Sequence, residues 1–416
     1  MKNVYIIGVG MTRFGKYLDR NMKSLVTEAT DAALNHAGLE RKDIQVAAVG
    51  NAYQGIVTGQ ESIRGQVVLR SMGIGDIPVT NVENACASSS TAAQVLWMDI
   101  ALGLHDIGLA LGMEKMYMED REKRLSLFSS SMDVEVMEKV MKAIKGMSGQ
   151  KEEGEKEKDE ESGGKPKKKR SAFMDVYAMG AKMWMDQYGL TQRQLAMVAG
   201  KNQTNGSLNP YAQYQKAMTV EEVLAAPEVA YPLTRPMCSP VGDGAAAAVF
   251  CSEDYLKRVG PAKPIKIRAI ELGSGMDRAM DAPDLGVRLS KRIYEKAGLG
   301  PEDINVAEVH DASAWSEIRA YEDMGFCGEG EGGEFIEKGH SQLTGKLPVN
   351  TSGGLEAKGH PVGATGIGQM AEIVWQLRGE ADKRQIDNPR IGMCENGGGN
   401  IGIEEASMVI SILEKV

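Results

Sequence analysis

The chain has 416 residues, of which 42% are hydrophobic and 25% charged, and carries a net charge of −9. That length exceeds one ordinary core and implies two or three packed units. The lack of any apolar run of about 18 residues argues against a membrane helix, and the acidic balance against nucleic acid as a partner.

The five cysteines (Cys86, Cys238, Cys251, Cys327, Cys394) are scattered without a Cys-x-x-Cys pair, and the five histidines never fall in ligand spacing. Reduced thiols, a cytoplasmic protein and no metal site are the expectation. An anionic substrate would need a local cluster of Lys and Arg, because the overall field repels it.

In chain order, the opening Met1–Gly10 reads as a strand and turn; it is too short in its apolar part for a signal peptide. Gly8-Val-Gly10 begins like a dinucleotide fingerprint, but Arg13 stands where a third small residue must pack helix on strand. Residues 37–52 then recur at an offset of 260 as residues 297–312, with nine of sixteen positions identical. Each copy reads as a helix end, a Gly stop, a turn and a buried strand. Two halves with the same unit, strands alternating with helices, imply an α/β protein with parallel sheets covered by helices.

Pro78–Asn84 reads as a strand and Ser88–Gly103 as a helix, with Cys86 at the join. A thiol at a helix N-terminus feels backbone N–H dipoles, which predicts a lowered pKa. The run Ala87–Ala93 keeps side chains short, so a substrate can come close.

Residues 113–185 hold 11 of the 25 methionines, and 148–170 is almost free of apolar residues. Its mixed-charge run 151–161 and basic run 165–170 read as a solvated excursion. Upstream, Val134, Met137, Val140, Met141 and Ile144 follow a helical stripe, read either as helix packing or as an adaptable wall over an acyl group.

In the second half, His310 falls where the repeated strand ends, the edge at which ligands bind in open α/β sheets. His360 sits between glycines and directly before Pro361, at a loop-to-helix junction, with Pro361 expected at the first helical position.

Asn84-Ala-Cys86-Ala-Ser-Ser, His310-Asp-Ala and Gly359-His360-Pro-Val-Gly-Ala-Thr-Gly, in that order, resemble the thiolases. The likeness is greatest to the sterol-carrier-protein-type branch, where His-Asp replaces the Asn-Glu-Ala-Phe of other thiolases. Lys201-Asn-Gln, Asn209-Pro-Tyr-Ala-Gln213, Ser239-Pro-Val-Gly-Asp-Gly-Ala245 and residues 320–333 extend it, and only about 119–171 has no counterpart.

The resemblance implies two similar halves stacked as five layers, αβαβα, with a loop domain inserted in the first half. The boundaries it suggests are 1–118, 119–230 (insert), 231–262 (return to the first half) and 263–416. It implies a CoA-dependent acyltransferase: His360 activates Cys86, which cleaves a 3-oxoacyl-CoA, or runs the reverse Claisen condensation, through an acyl-Cys86 intermediate. Coenzyme A is then a cosubstrate and no cofactor stays bound.

His310 would help form one oxyanion hole, and the N–H of Cys86 with one from Gly397, Gly398 or Gly399 a second. Ser239 matches a family position near the pantetheine arm. The family's further acid/base is usually a cysteine in a C-terminal Cys-x-Gly motif, and in this branch often the cysteine after His-Asp, here Ala312. Cys394-Glu-Asn-Gly-Gly-Gly-Asn400 has one extra residue before its glycines, so the resemblance implies Cys394 or, if the glycines set the register, Glu395. Where the branch commonly has Cys-Phe, Ala312-Ser313 leaves space, pointing to a bulky acyl group such as that of 2-benzoylsuccinyl-CoA.

A homodimer is implied, as is a small zinc-bearing OB-fold protein partner. The alternatives are a decarboxylating condensing enzyme of the ketoacyl synthase type and a catalytically silent subunit of a complex.

Overall fold

The computed structural model describes residues 1–120, 123–124, 127–135, 172–260 and 263–416. Both charged runs, and the methionine stripe beyond Val134, lie outside these residues. The first half runs β1 (Val4–Met11), α1 (Met22–Ala37), β2 (Val46–Gly50), α2 (Arg64–Ser71), β3 (Val79–Val82), α3 (Ser88–Ala101) and β4 (Ile107–Lys115). An excursion follows with α4 (Ala172–Tyr188), α5 (Gln192–Ser207) and a ribbon of β5 (Glu228–Ala230) and β6 (Leu233–Thr234), before the chain returns as β7 (Asp243–Ser252). The second half runs β8 (Ile265–Ser274), α6 (Leu285–Ala297), β9 (Val306–Glu308), α7 (Ala314–Asp323), α8 (Thr365–Arg378), β10 (Ile391–Ile401) and β11 (Glu404–Lys415).

The two copies of the sequence repeat fold alike for a shared local reason. Helices α1 and α6 both stop at a left-handed glycine, Gly38 (φ 68°) and Gly298 (φ 67°), a conformation that penalises any Cβ. A 3₁₀ turn follows in each copy, closed where the carboxylate of Asp43 accepts the N–H of Glu40 and that of Asp303 accepts the N–H of Gly300, both at 2.8 Å. The strands then enter equivalent registers: Val46 lies opposite Gly108, and Val306 opposite Gly392. Ala47 pairs with Val79 of β3, while Ala307 bridges to Val349, which stands in the place of a third strand.

The strand order is β3-β2-β4-β7-β1-β8-β11-β10-β9. The halves meet through Tyr5–Lys266 and Ile6–Ile265, which joins them edge to edge. The sheet is mixed, a correction to the parallel expectation. Only β3-β2-β4 and β9-β10 are parallel, because the short turn between β10 and β11 forces an antiparallel hairpin and β7 returns antiparallel to both its neighbours.

Alternation along β7 shows the layering. Ala246, Ala248 and Phe250 face the cluster built around α3 and α8, whereas Ala245, Ala247, Val249 and Cys251 face α1. Helix α6 covers the outer face of the second half. All fourteen residues of α8 are buried, since it packs against strands of both halves. The result is the expected five-layer αβαβα arrangement, with α3 and α8 in the middle. Among the described residues no helix is long and apolar enough to cross a membrane.

Candidate active site

Cys86 lies in a 3₁₀ turn, Ala85–Ala87, immediately before α3. Ala85 has φ +46°, a left-handed conformation that costs a residue with a Cβ about 1–3 kcal/mol. Two bonds of 2.6 Å hold it there: its N–H donates to Glu83 Oε1, and its carbonyl accepts from Ser88 Oγ. This sharp turn aims Cys86 into a cavity of about 760 Å³. Burial pushes the thiol up to about 12, and the nearby backbone N–H groups of Gly399 and of Cys86 itself oppose this only in part. The lowered pKa expected from the helix N-terminus is therefore corrected: leaving water disfavours the thiolate by more than the dipoles help it.

His360 and His310 reach the same point. Their rings meet edge to face with centroids 5.2 Å apart, and a ring nitrogen of each lies within 4.8 Å of the other and of Cys86 Sγ. Pro361 does not begin the helix: it precedes a 3₁₀ turn, Val362–Ala364, and α8 starts at Thr365. Pro361's carbonyl accepts from the Thr365 hydroxyl at 3.2 Å, and Thr365 Oγ1 lies 2.8 Å from His360 Nδ1. A hydroxyl already donating to a carbonyl must accept from the ring, so Nδ1 carries the proton and Nε2 is the free base.

The opposite tautomer is set at His310. The amide nitrogen of Asn396 faces His310 Nδ1 at 2.9 Å and also reaches the carbonyl of Gly397 at 3.4 Å, while Asn396 Oδ1 lies 2.8 Å from Ser90 Oγ. Nδ1 accepts, and Nε2 presents its hydrogen. Burial lowers His310 to about 4 and His360 well below the ordinary histidine range, so both rings are neutral near pH 7.

Buried carboxylates hold these loops in place. Asp311 accepts the N–H of Leu355 (2.7 Å) and Glu356 (3.2 Å), tying the His310 loop to the turn that leads into His360. Glu114 accepts the N–H of Ala52, Tyr53 and Gly363, pinning the turn after Pro361 to the end of β4. Gly398 must be glycine: a Cβ there would sit 2.4 Å from Asn84 O and 2.6 Å from Ala87 N.

Of the residues singled out in the sequence, Cys86, His310, His360, Ser239 and Gly397–Gly399 all line the cavity, as does Ala312. Cys394 does not join them; it is buried in the central core and paired with Glu308 across β9. Glu395 also lies behind the cavity wall, where its carboxylate accepts the N–H of His310 at 2.8 Å. Sequence reasoning missed Asn396, Thr365 and Glu114. Thr365 stood inside the Gly-Ala-Thr-Gly run and Asn396 directly after Glu395, but only the folded contacts disclose their parts.

Four cations, Lys16, Arg124, Lys216 and Arg235, also line the cavity, the local cluster that an acidic chain needs to hold an anionic ligand. Cys86, His310 and His360 are close enough to share a cation. Two of their ring nitrogens are, however, already engaged by Asn396 and Thr365.

Residues 4–254 match the thiolase N-terminal domain, and residues 282–413 the thiolase C-terminal domain-like family. The chain belongs to the thiolase family. This thiolase is 39% identical to the acetyl-CoA acetyltransferase of Methanothermobacter thermautotrophicus, across 97% of its own length and 98% of that protein. It is 33% identical to the benzoylsuccinyl-CoA thiolase subunit BbsB of Thauera aromatica, across 96% and 95%. Its fold resembles that of the Ltp2–ChsH2(DUF35) aldolase, with a TM-score of 0.76, 24% identity and coverage of 99% and 98%. By this kinship the thiolase is an acyltransferase.

Proposed function

We propose that this thiolase cleaves a 3-oxoacyl-CoA, or condenses two acyl-CoA molecules in reverse, through an acyl group carried on Cys86. The convergence of Cys86 Sγ with one nitrogen of each histidine within 4.8 Å, at the wall of a large cavity, carries the reading. Cys86 and His360 rest as a neutral pair. As Sγ attacks the 3-oxo carbon, His360 Nε2 takes the thiol proton, so charge develops only when substrate is present.

The Nε2–H of His310 would donate to the oxygen of the departing enolate, and the N–H groups of Cys86 and Gly399 to that of the tetrahedral intermediate. Coenzyme A is the cosubstrate, its phosphates drawn by the four cavity cations and its pantetheine arm passing Ser239. These matched tautomers favour an active enzyme over a silent subunit.

The acyl group is bulky. The cavity walls include Ala312 where a larger residue is common in the branch, and Phe128, Met174 and Tyr177 stand on its apolar side. The likeness to a benzoylsuccinyl-CoA thiolase subunit supports an aromatic acyl group. A benzoylsuccinyl-CoA thiolase subunit among the relatives and an aldolase of the same fold that pairs with a DUF35 protein support a protein partner, for which we take the small zinc-bearing OB-fold protein that the family resemblance implies. A homodimer through the edge strand β3, whose Thr80 and Asn81 are exposed, and a cytoplasmic location complete the proposal.

Intact-protein mass after exposure to a panel of acyl- and 3-oxoacyl-CoA thioesters, beside Cys86→Ala, tests it. An acyl-sized gain that needs Cys86 is the expected result, greatest for bulky thioesters. No gain from any thioester overturns the reading.

A further inference from the structure

The reaction needs a second proton carrier, because His360 serves Cys86 and the carbon released as an enolate must still be protonated. Cys394 and Glu395 do not line the cavity, but Glu405 does. It stands at the start of β11, beside the glycines that approach Cys86. A Cβ built on Gly397 would lie 3.2 Å from Glu405 Cγ and 3.7 Å from Glu395 Oε1, so the two carboxyl groups flank one glycine, with Glu405 on the cavity side. The adjacent Glu404 takes both nearby arginines, Arg278 at 2.6 Å and Arg288 at 2.8 Å, whereas Glu405 has no ion pair among the described residues.

Several other proton-bearing groups on the wall are less suited. Tyr53 is bonded to Ser131 Oγ at 2.6 Å, and burial raises both Tyr53 and Tyr177 above the ordinary phenol range. Cys238 donates to Thr234 O at 3.6 Å and is pushed up to about 12. Lys16 belongs with Arg124 and Arg235 in the cation cluster. Glu405 is raised from the carboxylate range first by burial and then by Asp284; Arg319 opposes this and Glu404 adds to it. Glu395 and Tyr177 also interact with it. That movement toward neutrality is what an acid/base working near pH 7 requires.

We propose that Glu405 is the second catalytic acid/base of this enzyme. The inference rests on the thiolase reading above. When Cys86 sulfur bonds to the 3-oxo carbon and the C2–C3 bond breaks, the electron pair passes to C2 as the enolate of the shorter acyl-CoA. The carboxylic acid of Glu405 gives its proton to C2 and becomes a carboxylate. Incoming CoA then loses its thiol proton to that carboxylate, its sulfur bonds to the acyl carbon, and the Cys86–carbon bond breaks. Cys86 recovers its proton from His360, and both residues return to their starting state.

The test is exchange of the C2 hydrogens of acetyl-CoA with D₂O, followed by mass, alongside acyl loading of Cys86 in the same samples. Glu405→Gln keeps the shape but cannot carry the proton. It should lose exchange by about 10²-fold or more and should also load Cys86 more slowly, because loading by an acyl-CoA reverses the step in which Glu405 takes the CoA thiol proton. Loading of the wild type in the same samples shows that the thiolase chemistry itself is present. Glu405→Asp should retain part of the exchange with a displaced pH profile, which a purely structural role would not produce.

Exchange by Glu405→Gln within threefold of wild type, with an unchanged pH profile, overturns the proposal while loading of Cys86 leaves the thiolase reading standing. Loss of exchange in Cys238→Ala but not in Glu405→Gln also overturns it. A wild type that neither loads nor exchanges defeats the thiolase reading, and this assignment with it.

Discussion

Asn396 donates its amide N–H to His310 Nδ1 at 2.9 Å, and that bond decides which nitrogen of His310 presents a hydrogen to the cavity. The same amide nitrogen also reaches the carbonyl of Gly397 at 3.4 Å, so its direction is set within β10. Asn396→Asp would accept from Nδ1 and turn Nε2 into an acceptor. We expect kcat to fall by about 10²–10³, the cost of one oxyanion donor, with KM little changed. Asn396→Ala should lose less, because the ring can then choose its tautomer. Steady-state kinetics on the best-loading thioester would decide it, and equal losses in the two variants would contradict the tautomer argument.

The resting Cys86 thiol should alkylate slowly. With burial holding it at about 12, the rate with iodoacetamide should climb about tenfold per pH unit between pH 7 and 10, without a plateau. Peptide mass mapping separates Cys86 from Cys238 and Cys327. A plateau below pH 8 would instead reveal a preformed thiolate–imidazolium pair.

Gly398→Ala should remove acyl loading altogether. Its Cβ would press on Asn84 O and Ala87 N, backbone atoms on either side of the nucleophile, and neither can swing aside. A stability loss of about 1–3 kcal/mol is expected from the overpacking. Thermal melts and intact mass read the two effects separately.

Glu395 gives a pH signature in stability. Burial, chiefly, raises its carboxyl to about 8 from an ordinary 4.5, so the folded state holds this proton more tightly than the unfolded chain. The contribution is fully present below about pH 4.5 and is lost as pH rises through 8. Glu395→Gln should therefore match wild type in melting temperature at pH 4 and exceed it at pH 9. Parallel melting curves across that range would show that the carboxyl is not buried as described.

The sequence by itself determined the duplication, the placement of Cys86, His310 and His360 at element ends, and the family. Identical local rules act twice: a left-handed glycine stop, an Asp closing its own turn, and a strand of matching register are written within sixteen residues. A strongly local pattern survives without knowledge of what it packs against.

Tertiary structure alone decided what depends on burial and long-range contact. The antiparallel return of β7 follows an excursion of more than a hundred residues, which no local signal specifies. Cys394 and Glu395, adjacent in the chain, both turn out to lie behind the cavity wall, while Glu405, with no motif around it, is brought to the wall by the hairpin. The proton positions on His310 and His360 rest on Asn396 and Thr365, and the height of the Cys86 pKa on exclusion of water. A dipole can be guessed from a helix start, but the desolvation that outweighs it exists only once β10 closes over the thiol.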